Sequence, residues 1–315
     1  MCIKTGALSP SAIQLLLAYS RAEVEGSAST NGGRQNSCHQ QQCDMPAAFR
    51  RYVGIDYSGA RTPTDGLKGL RVYIAQTPGE LPEEVLPPPG PRKYWSRRGV
   101  AFWLADLLQE DIPTIVGIDH SFSFPLRYFE VHQLLPDWYE FLEDFQAHWP
   151  TDEEHVYVDF VRDGLIGNGG AREGNPRWRR IAEERCRAKS VFHFDVQGTV
   201  AKSTHSGLPW LLYLHRQLGE SVHFWPFDGW DIPVACSAIV EAYPSMWRRG
   251  RVTPENMTDD QYDAYTIADW LRLADQDGHL QLALHPPLTL PERIVAEVEG
   301  WILGVGSAAA PDACL

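Results

Sequence analysis

At 315 residues the chain is long enough for one or two domains with a full core, and 43% hydrophobic with 22% charged residues is an ordinary globular composition. A formal net charge of −13 argues against a general, sequence-blind grip on long nucleic acid, which wants a basic surface, but it leaves room for a local basic site. Six cysteines without framework spacing and an apolar stretch at 12–19 too short to span a membrane exclude a disulfide scaffold and a membrane anchor there, and lead us to expect a cytoplasmic protein with reduced thiols.

In chain order, residues 1–48 are biased to Ser, Asn, Gly and Gln after residue 26 and read as a disordered or loosely attached extension, with at most a short helix near 10–22. Met45 stands just ahead of the first strand, so translation starting there would make 1–44 an artefact of the assigned start. Cys38-His39 with Cys43 resembles half a zinc site, but no second pair follows. The core is expected to open with a strand over 52–58, a hairpin through Gly66–Gly69, and a strand over 70–76. The proline-rich segment 78–91 reads as a loop, followed by a short strand near 93–97. Val100–Leu108 is helical by period, with Phe102, Ala105 and Leu108 on one stripe. A strand over 114–119 and a helix around 137–147 follow. Residues 151–233 are too long for a connection and read as an insertion with its own elements. A strand over 236–241, a helix over 259–275, a last helix over about 292–303 and a flexible tail from 305 complete the chain. The expected fold is α/β, with a ribonuclease H-like mixed sheet flanked by helices over 49–304 and a large insertion before the last core strand.

Acidic residues close the apolar runs. Asp56 ends Tyr52-Val53-Gly54-Ile55, Asp119 ends Thr114-Ile115-Val116-Gly117-Ile118, and Glu241 ends Ala238-Ile239-Val240. An isolated carboxylate in a core is costly, whereas a divalent cation turns clustered carboxylates into ligands. Val-Gly-Ile-Asp occurs at both 53–56 and 116–119; if the two strands are parallel neighbours, both acids emerge at one sheet edge, where open α/β sheets collect ligands. Asp260 and Asp263 are three apart, on one face of a helix. Each acid also has a plain reading. Asp56 suits a turn before Ser58-Gly59, Asp119 a bond to Ser121, Asp259 and Asp260 a helix cap, and Glu241 an edge position that either orients a ligand or has no task.

The insertion carries a basic run, Arg172, Arg177, Arg179, Arg180, Arg185, Arg187 and Lys189, with Trp178 interleaved. Of these, Arg177, Arg179 and Arg180 suit a phosphate backbone, with Trp178 as a stacking face; a solvated helix face paired with Glu183 and Glu184 is the alternative. Gly198–Ser203 lacks the glycines of a phosphate loop, yet Lys202, Thr204 and His205, ahead of a helix expected from near Gly207, could hold an anion. His205 is equally well read as an ordinary loop histidine.

Together, Val-Gly-Ile-Asp at 53–56, Gly-Ile-Asp-His at 117–120, Glu241-Ala-Tyr-Pro and Asp259-Asp260-Gln-Tyr-Asp263-Ala resemble the family catalogued as domain of unknown function 429, described as predicted nucleases with a ribonuclease H fold. Further likeness lies in Ser190-Val191-Phe192, the run Gly198–Gly207 and Glu299–Gly304, so that it covers about 50–304. The resemblance implies a catalytic set of Asp56, Asp119, Glu241, Asp260 and Asp263, similar in logic to Holliday-junction resolvases, although the second acid there is usually Glu. It further implies Mg²⁺ or Mn²⁺ held by Asp56, Asp119, Asp260 and Asp263, as two ions about 4 Å apart bridged by Asp56, and nucleic acid as the partner. Two other readings stay open. One is an ATP-using enzyme of the actin-like superfamily, which lacks here a glycine-rich loop after Asp119. The other is a nucleic-acid-binding module without turnover.

Overall fold

A computed structural model describes residues 48–76, 79–196, 198–248 and 257–307. The expected N-terminal extension up to residue 47, its helix near 10–22, the Cys38–Cys43 motif and residues 308–315 lie outside the described residues. The strands are β1 (Arg51–Asp56), β2 (Arg71–Gln76), β3 (Glu83–Glu84), β4 (Thr114–Asp119), β5 (Val222–Phe224) and β6 (Ser237–Glu241). They form one mixed sheet in the order β3-β2-β1-β4-β6-β5. The first three strands meander antiparallel, and β1, β4, β6 and β5 run parallel. β1 and β4 are buried along their length up to the terminal aspartate, as expected of parallel strands covered on both faces.

The helices are α1 (Arg97–Leu108), α2 (Leu126–His132), α3 (Trp138–His148), α4 (Val158–Arg162), α5 (Ile181–Cys186), α6 (Ala201–Leu218), α7 (Asp259–Gln276), α8 (His279–Leu284) and α9 (Leu290–Glu299). Among the described residues none is long and apolar enough to cross a membrane. One face of the sheet presents Val53, Ile55, Val72, Val116, Ile118 and Ile239 to α1 and α6, with α3 packed outside α6. The other face carries α7, which lies across β1, β2 and β4.

That second face is shaped by two glycines paired in register, Gly54 and Gly117. A Cβ on Gly54 would stand 2.1 Å from the Ala264 carbonyl oxygen and 2.6 Å from the Ala268 nitrogen; one on Gly117 would stand 2.5 Å from Ile267 Cγ2. The missing side chains let the α7 backbone rest almost directly on the sheet. The far end of α7 is tied to the start of β1. There Asp275 accepts from the Ala48 nitrogen at 3.1 Å, the Phe49 nitrogen at 2.9 Å and the Tyr52 hydroxyl at 2.8 Å. Ala48, although exposed, is therefore tied to the folded domain through its backbone.

Several boundaries differ from the sequence reading, each for a local reason. The third strand lies at Glu83–Glu84, inside the proline-rich segment; an edge strand tolerates flanking prolines because its outer N–H groups need no partner. Residues 93–97 form no strand: the Trp95 indole donates to the Val85 carbonyl at 2.7 Å, and Ser96 caps α1 by accepting from the Gly99 nitrogen. The buried stripe of α1 is Val100, Ala101, Leu104, Ala105 and Leu108, while Phe102 is 47% exposed and stacks on Tyr213. α2 was not expected. The insertion is no appendage, since α6 forms part of the central layer and β5 joins the sheet. The last helix stops at Glu299, where Gly300 takes φ 75°, and the chain turns back to bridge Ile302 to Glu241. Val305 and Ser307 are buried, so the tail expected from 305 starts no earlier than 308.

Gly54→Ala is expected to destabilise the fold by about 1–3 kcal/mol or more, because the added methyl meets helix backbone with no room to rotate away. Urea denaturation checks this, and a midpoint equal to wild type would mean that α7 can lift off the sheet without loss.

Candidate functional site

The repeated Val-Gly-Ile-Asp motif places its two acids side by side. Asp56 and Asp119 are register partners on the parallel strands β1 and β4, two residues beyond the glycine pair and hence on the α7 face. α7 enters over the same edge, and Asp263 directly precedes Ala264, whose carbonyl abuts Gly54. Asp260, one turn earlier, has Oδ2 3.7 Å from the Cβ position of Gly69, and the Ser58 hydroxyl lies 3.6 Å from that same point. Neither aspartate caps the helix. Thr258 does so, accepting from the Gln261 nitrogen while the Gln261 side chain returns a bond to Thr258.

Electrostatics show that these groups feel one another. Burial holds the Asp56 carboxyl well above the usual carboxylate range, reinforced by Asp119, Asp263 and Asp260 and opposed by Arg71. Asp119 is displaced the same way by burial, Asp263 and Glu241. Asp263 is raised to about 6, chiefly by burial, against the pull of Arg248. The Arg248 guanidinium bridges Asp263 at 3.1 Å and Asp259 at 3.0 Å. Among the described residues, no group of three His, Cys, Asp or Glu stands in an arrangement ready to hold a metal ion. The donor chemistry nevertheless fits one: carboxylate oxygens from two strand ends and a helix, crowded enough to resist ionisation, are hard ligands.

Glu241 acts on Asp119 through its charge but does not share its face of the sheet. Its register partner is Ile118, one residue short of Asp119, so strand alternation turns its side chain to the opposite face of the sheet. There it is 4% exposed, accepts from the Phe122 nitrogen at 3.1 Å and takes both arms of the Arg180 guanidinium. Arg180, read from sequence as a phosphate contact, is fully buried. It also binds Glu183 at 2.9 Å, the Ser121 hydroxyl at 2.9 Å and the Glu299 carbonyl at 3.1 Å. A buried guanidinium facing two carboxylates is a structural node rather than a substrate contact.

The rest of the basic run disperses. Arg172 pairs with Asp144 and Arg185 with Glu292. Arg177 and Arg179 are exposed, and half-buried Trp178 makes a T-shaped contact with Phe192. α6 begins at Ala201, so Lys202, Thr204 and His205 lie inside its first turns and not ahead of it. Lys202 pairs with Asp159 at 2.7 Å. Thr204 is buried and accepts from the Ser121 nitrogen at 3.1 Å. His205 is 1% exposed among Phe124, Phe145, Trp149 and Phe194, and burial pushes its pKa down to about 3. A neutral ring in that aromatic setting offers no charge to an anion.

Beside Asp119 opens a cleft of about 130 Å³, walled by Arg187, Lys189, Thr199 and Tyr243 and floored by Arg180 and Glu241. His120 also lines it, neutral because burial lowers its pKa to about 4. Arg187 and Lys189 stand in the basic run, but nothing in the sequence separates them from their neighbours. What singles out Arg187 is the end of α5, where it takes the left-handed conformation, φ 58°.

Compared with protein-family models, curated proteins and solved structures, the chain matches none.

Two outcomes follow from this geometry. Arg180→Ala strands buried Glu241 and Glu183 and is expected to cost about 3–5 kcal/mol, while Arg177→Ala and Arg179→Ala stay within about 0.5 kcal/mol of wild type by urea denaturation. Equal effects would return Arg180 to the surface run. The acidic edge sets a pH dependence of defined sign. Carboxyls whose folded pKa is raised keep protons that the unfolded chain releases, so their contribution to stability is fully present below about pH 4 and lost as pH rises through the folded pKa, about 6 for Asp263, with Asp56 and Asp119 acting in the same direction. Metal-free Asp56→Asn should therefore melt a few degrees above wild type near neutral pH and lose that advantage in acid. A lower melting temperature at neutral pH would show that Asp56 is held as a favourable, compensated charge.

Proposed function

We propose that this chain is a divalent-metal-dependent nuclease with a ribonuclease H-like core, of the kind the domain of unknown function 429 family is thought to contain. The observation that carries the reading is the in-register pair Asp56 and Asp119, faced by Asp260 and Asp263 at the head of α7. Three further features support it: a central β1 flanked by an antiparallel β2 and a parallel β4, acids at the carboxyl ends of parallel strands, and basic side chains on the neighbouring cleft.

In this reading Asp56 and Asp119 would hold the ion from the sheet, and Asp263 and Asp260 would complete its ligand set from the helix. Mg²⁺ or Mn²⁺ bound there supplies the Lewis acidity that activates a water and stabilises the leaving oxygen in phosphodiester hydrolysis. The protein's own groups do the rest. Arg248 pairs with Asp263 in a half-buried ion pair, which an ion bound there would have to displace. Glu241 acts as a positioning residue: it fixes the chain after Asp119 through the Phe122 nitrogen. The same loop weighs against the ATP-using alternative, because the Ser121 and Phe122 N–H groups that would cradle a phosphate are already bonded to Thr204 and Glu241.

Purified protein should cleave at least one of single-stranded, duplex or branched DNA or RNA in Mg²⁺ or Mn²⁺. Asp56→Asn and Asp119→Asn should each lower that rate by at least about 100-fold, with the circular dichroism spectrum unchanged. Cleavage that survives both substitutions, or ATP hydrolysis lost in its place, overturns the assignment.

A further inference from the structure

The connection from β1 to β2 leaves at Asp56 and returns at Arg71, so the hairpin it forms stands on the same edge of the sheet as the acids. Its end comes back to them at Gly69, the glycine that lies beside Asp260 and Ser58. Residues 92–98 pack against this hairpin. The Leu67 nitrogen donates to the Trp95 carbonyl at 2.8 Å, the Arg98 nitrogen donates to the Pro63 carbonyl at 3.1 Å, and the Arg71 and Lys93 cations share the Tyr94 ring. Beneath them the fully buried Arg97 guanidinium donates to the Ser58, Ala60 and Arg61 carbonyls at 3.2, 2.7 and 2.8 Å. Among the described residues no carboxylate pairs with it, so its charge is not cancelled locally.

Together, residues 57–71 and 92–98 hold seven of the chain's 28 basic residues and a single acid, Asp65. Asp65 is occupied by Thr62, which donates to it through Oγ1 at 2.8 Å and through its nitrogen at 3.2 Å, while Arg61 and Arg92 act on it only through space. Arg61, Lys68 and Arg92 are exposed and Arg98 is half-buried, and among the described residues none of the four makes a salt bridge. A solvated face laced with salt bridges is the ordinary reason for a basic run, and these four do not fit it. Arg97 and Arg98 moreover stand in the first turn of α1, the end at which the helix dipole disfavours a cation. In a chain of −13, such a gathering beside an acidic edge is placed for an anionic ligand.

We propose that this hairpin face is the surface on which the phosphate backbone of a nucleic acid lies, with Arg61, Lys68, Arg92 and Arg98 as its contacts, so that the strand passes beside the aspartates. The assignment rests on the nuclease reading for what then happens to the strand, but not for the binding itself. Tyr94, the half-buried ring of this face, is engaged by Arg71 and Lys93, so no base finds a platform there to stack on. Contacts to phosphates alone carry no sequence information, and they favour the more densely charged duplex over a single strand. The interlocked backbone of the two segments holds the cations in place before a ligand arrives, which lowers the ordering cost of binding.

The test uses the full chain with a labelled DNA duplex of mixed sequence and with one of its strands alone, in EDTA so that neither cleavage nor a bridging ion contributes. Fluorescence anisotropy should show the duplex bound at least as tightly as the single strand. Four cations on duplex phosphates give a slope of log affinity against log salt of about −3.6. Lys68→Ala/Arg92→Ala should weaken binding by at least about ten-fold and bring the slope to about −1.8, with the circular dichroism spectrum unchanged. Arg127→Ala/Arg216→Ala, which removes as much charge from salt-bridged positions on α2 and α6, should change binding by less than about two-fold. No measurable binding, an unchanged slope in the Lys68/Arg92 variant, equal losses in the two variants, or preference for the single strand overturns the proposal. Retention on phosphatidylserine vesicles as strong as on DNA, and lost in the Lys68/Arg92 variant, makes the surface a membrane contact and overturns it too. A cleavage assay in Mg²⁺ or Mn²⁺ then separates the two claims. Asp56-dependent cutting with kcat/KM unchanged in the Lys68/Arg92 variant removes the surface and leaves the nuclease. Salt-dependent binding lost in that variant, with no strand ever cut by the wild type, removes the nuclease and leaves the surface.

Discussion

The close approach of α7 to the sheet is the constraint on which the candidate site depends. A helix normally packs on a sheet through side chains on both surfaces, but here Gly54 and Gly117 present none, and α7 answers with Ala264 and Ala268. The helix axis therefore lies nearer the strands than Val or Ile would allow, and its first turn comes to rest over the carboxyl ends of β1 and β4. Only because of that proximity do Asp260 and Asp263 influence the ionisation of Asp56 and Asp119. The cost is a set of partly buried like charges. It is offset by packing elsewhere on the same helix, where Trp270 stacks on Trp247 with centroids 4.2 Å apart and Ile267 and Leu271 are fully buried.

A second node holds the opposite face. Arg180 ties the insertion to β6 through Glu241, and Glu299 accepts from the Leu126 nitrogen at 2.6 Å and the Ile181 nitrogen at 2.8 Å. Three remote segments thus meet at the rim of the sheet. The Ser121 hydroxyl, which accepts from Arg180, and the Phe122 nitrogen, which donates to Glu241, belong to the loop that leaves Asp119. The node is ionic and buried, so its worth lies in geometry more than in net stability: apolar groups of like volume could be as stable, but they would not fix the direction of that loop.

Much of this was legible from residue order, and what was not has identifiable causes. The strand ends at Asp56 and Asp119 show in the repeated apolar run, and their pairing follows once the strands are parallel neighbours. Glu241 looks identical in sequence, yet a one-residue stagger between β4 and β6 sends it to the other face, and register between distant strands leaves no local trace. Arg180 and Arg179 are adjacent and chemically the same, but one is fully buried because α5 begins there and the other faces solvent. His205 reads as a polar loop residue only until the helix is known to start at Ala201, which places its ring in an aromatic core. Phe102 failed for a different reason: hydrophobic period finds the helix but not which of two apolar stripes faces inward.

The acidic edge also bears on the charge of the chain under the proposed reading. Burial and mutual repulsion favour protons on Asp56 and Asp119, so a divalent cation bound there would displace protons and would bind more tightly as pH rises. Linkage would make the relation with substrate reciprocal: a phosphate held against the ion would tighten the ion by the same factor. With 41 acidic against 28 basic residues, the rest of the surface would turn polyanions away, so the excess of acid would limit unselective binding instead of contradicting a polyanionic substrate.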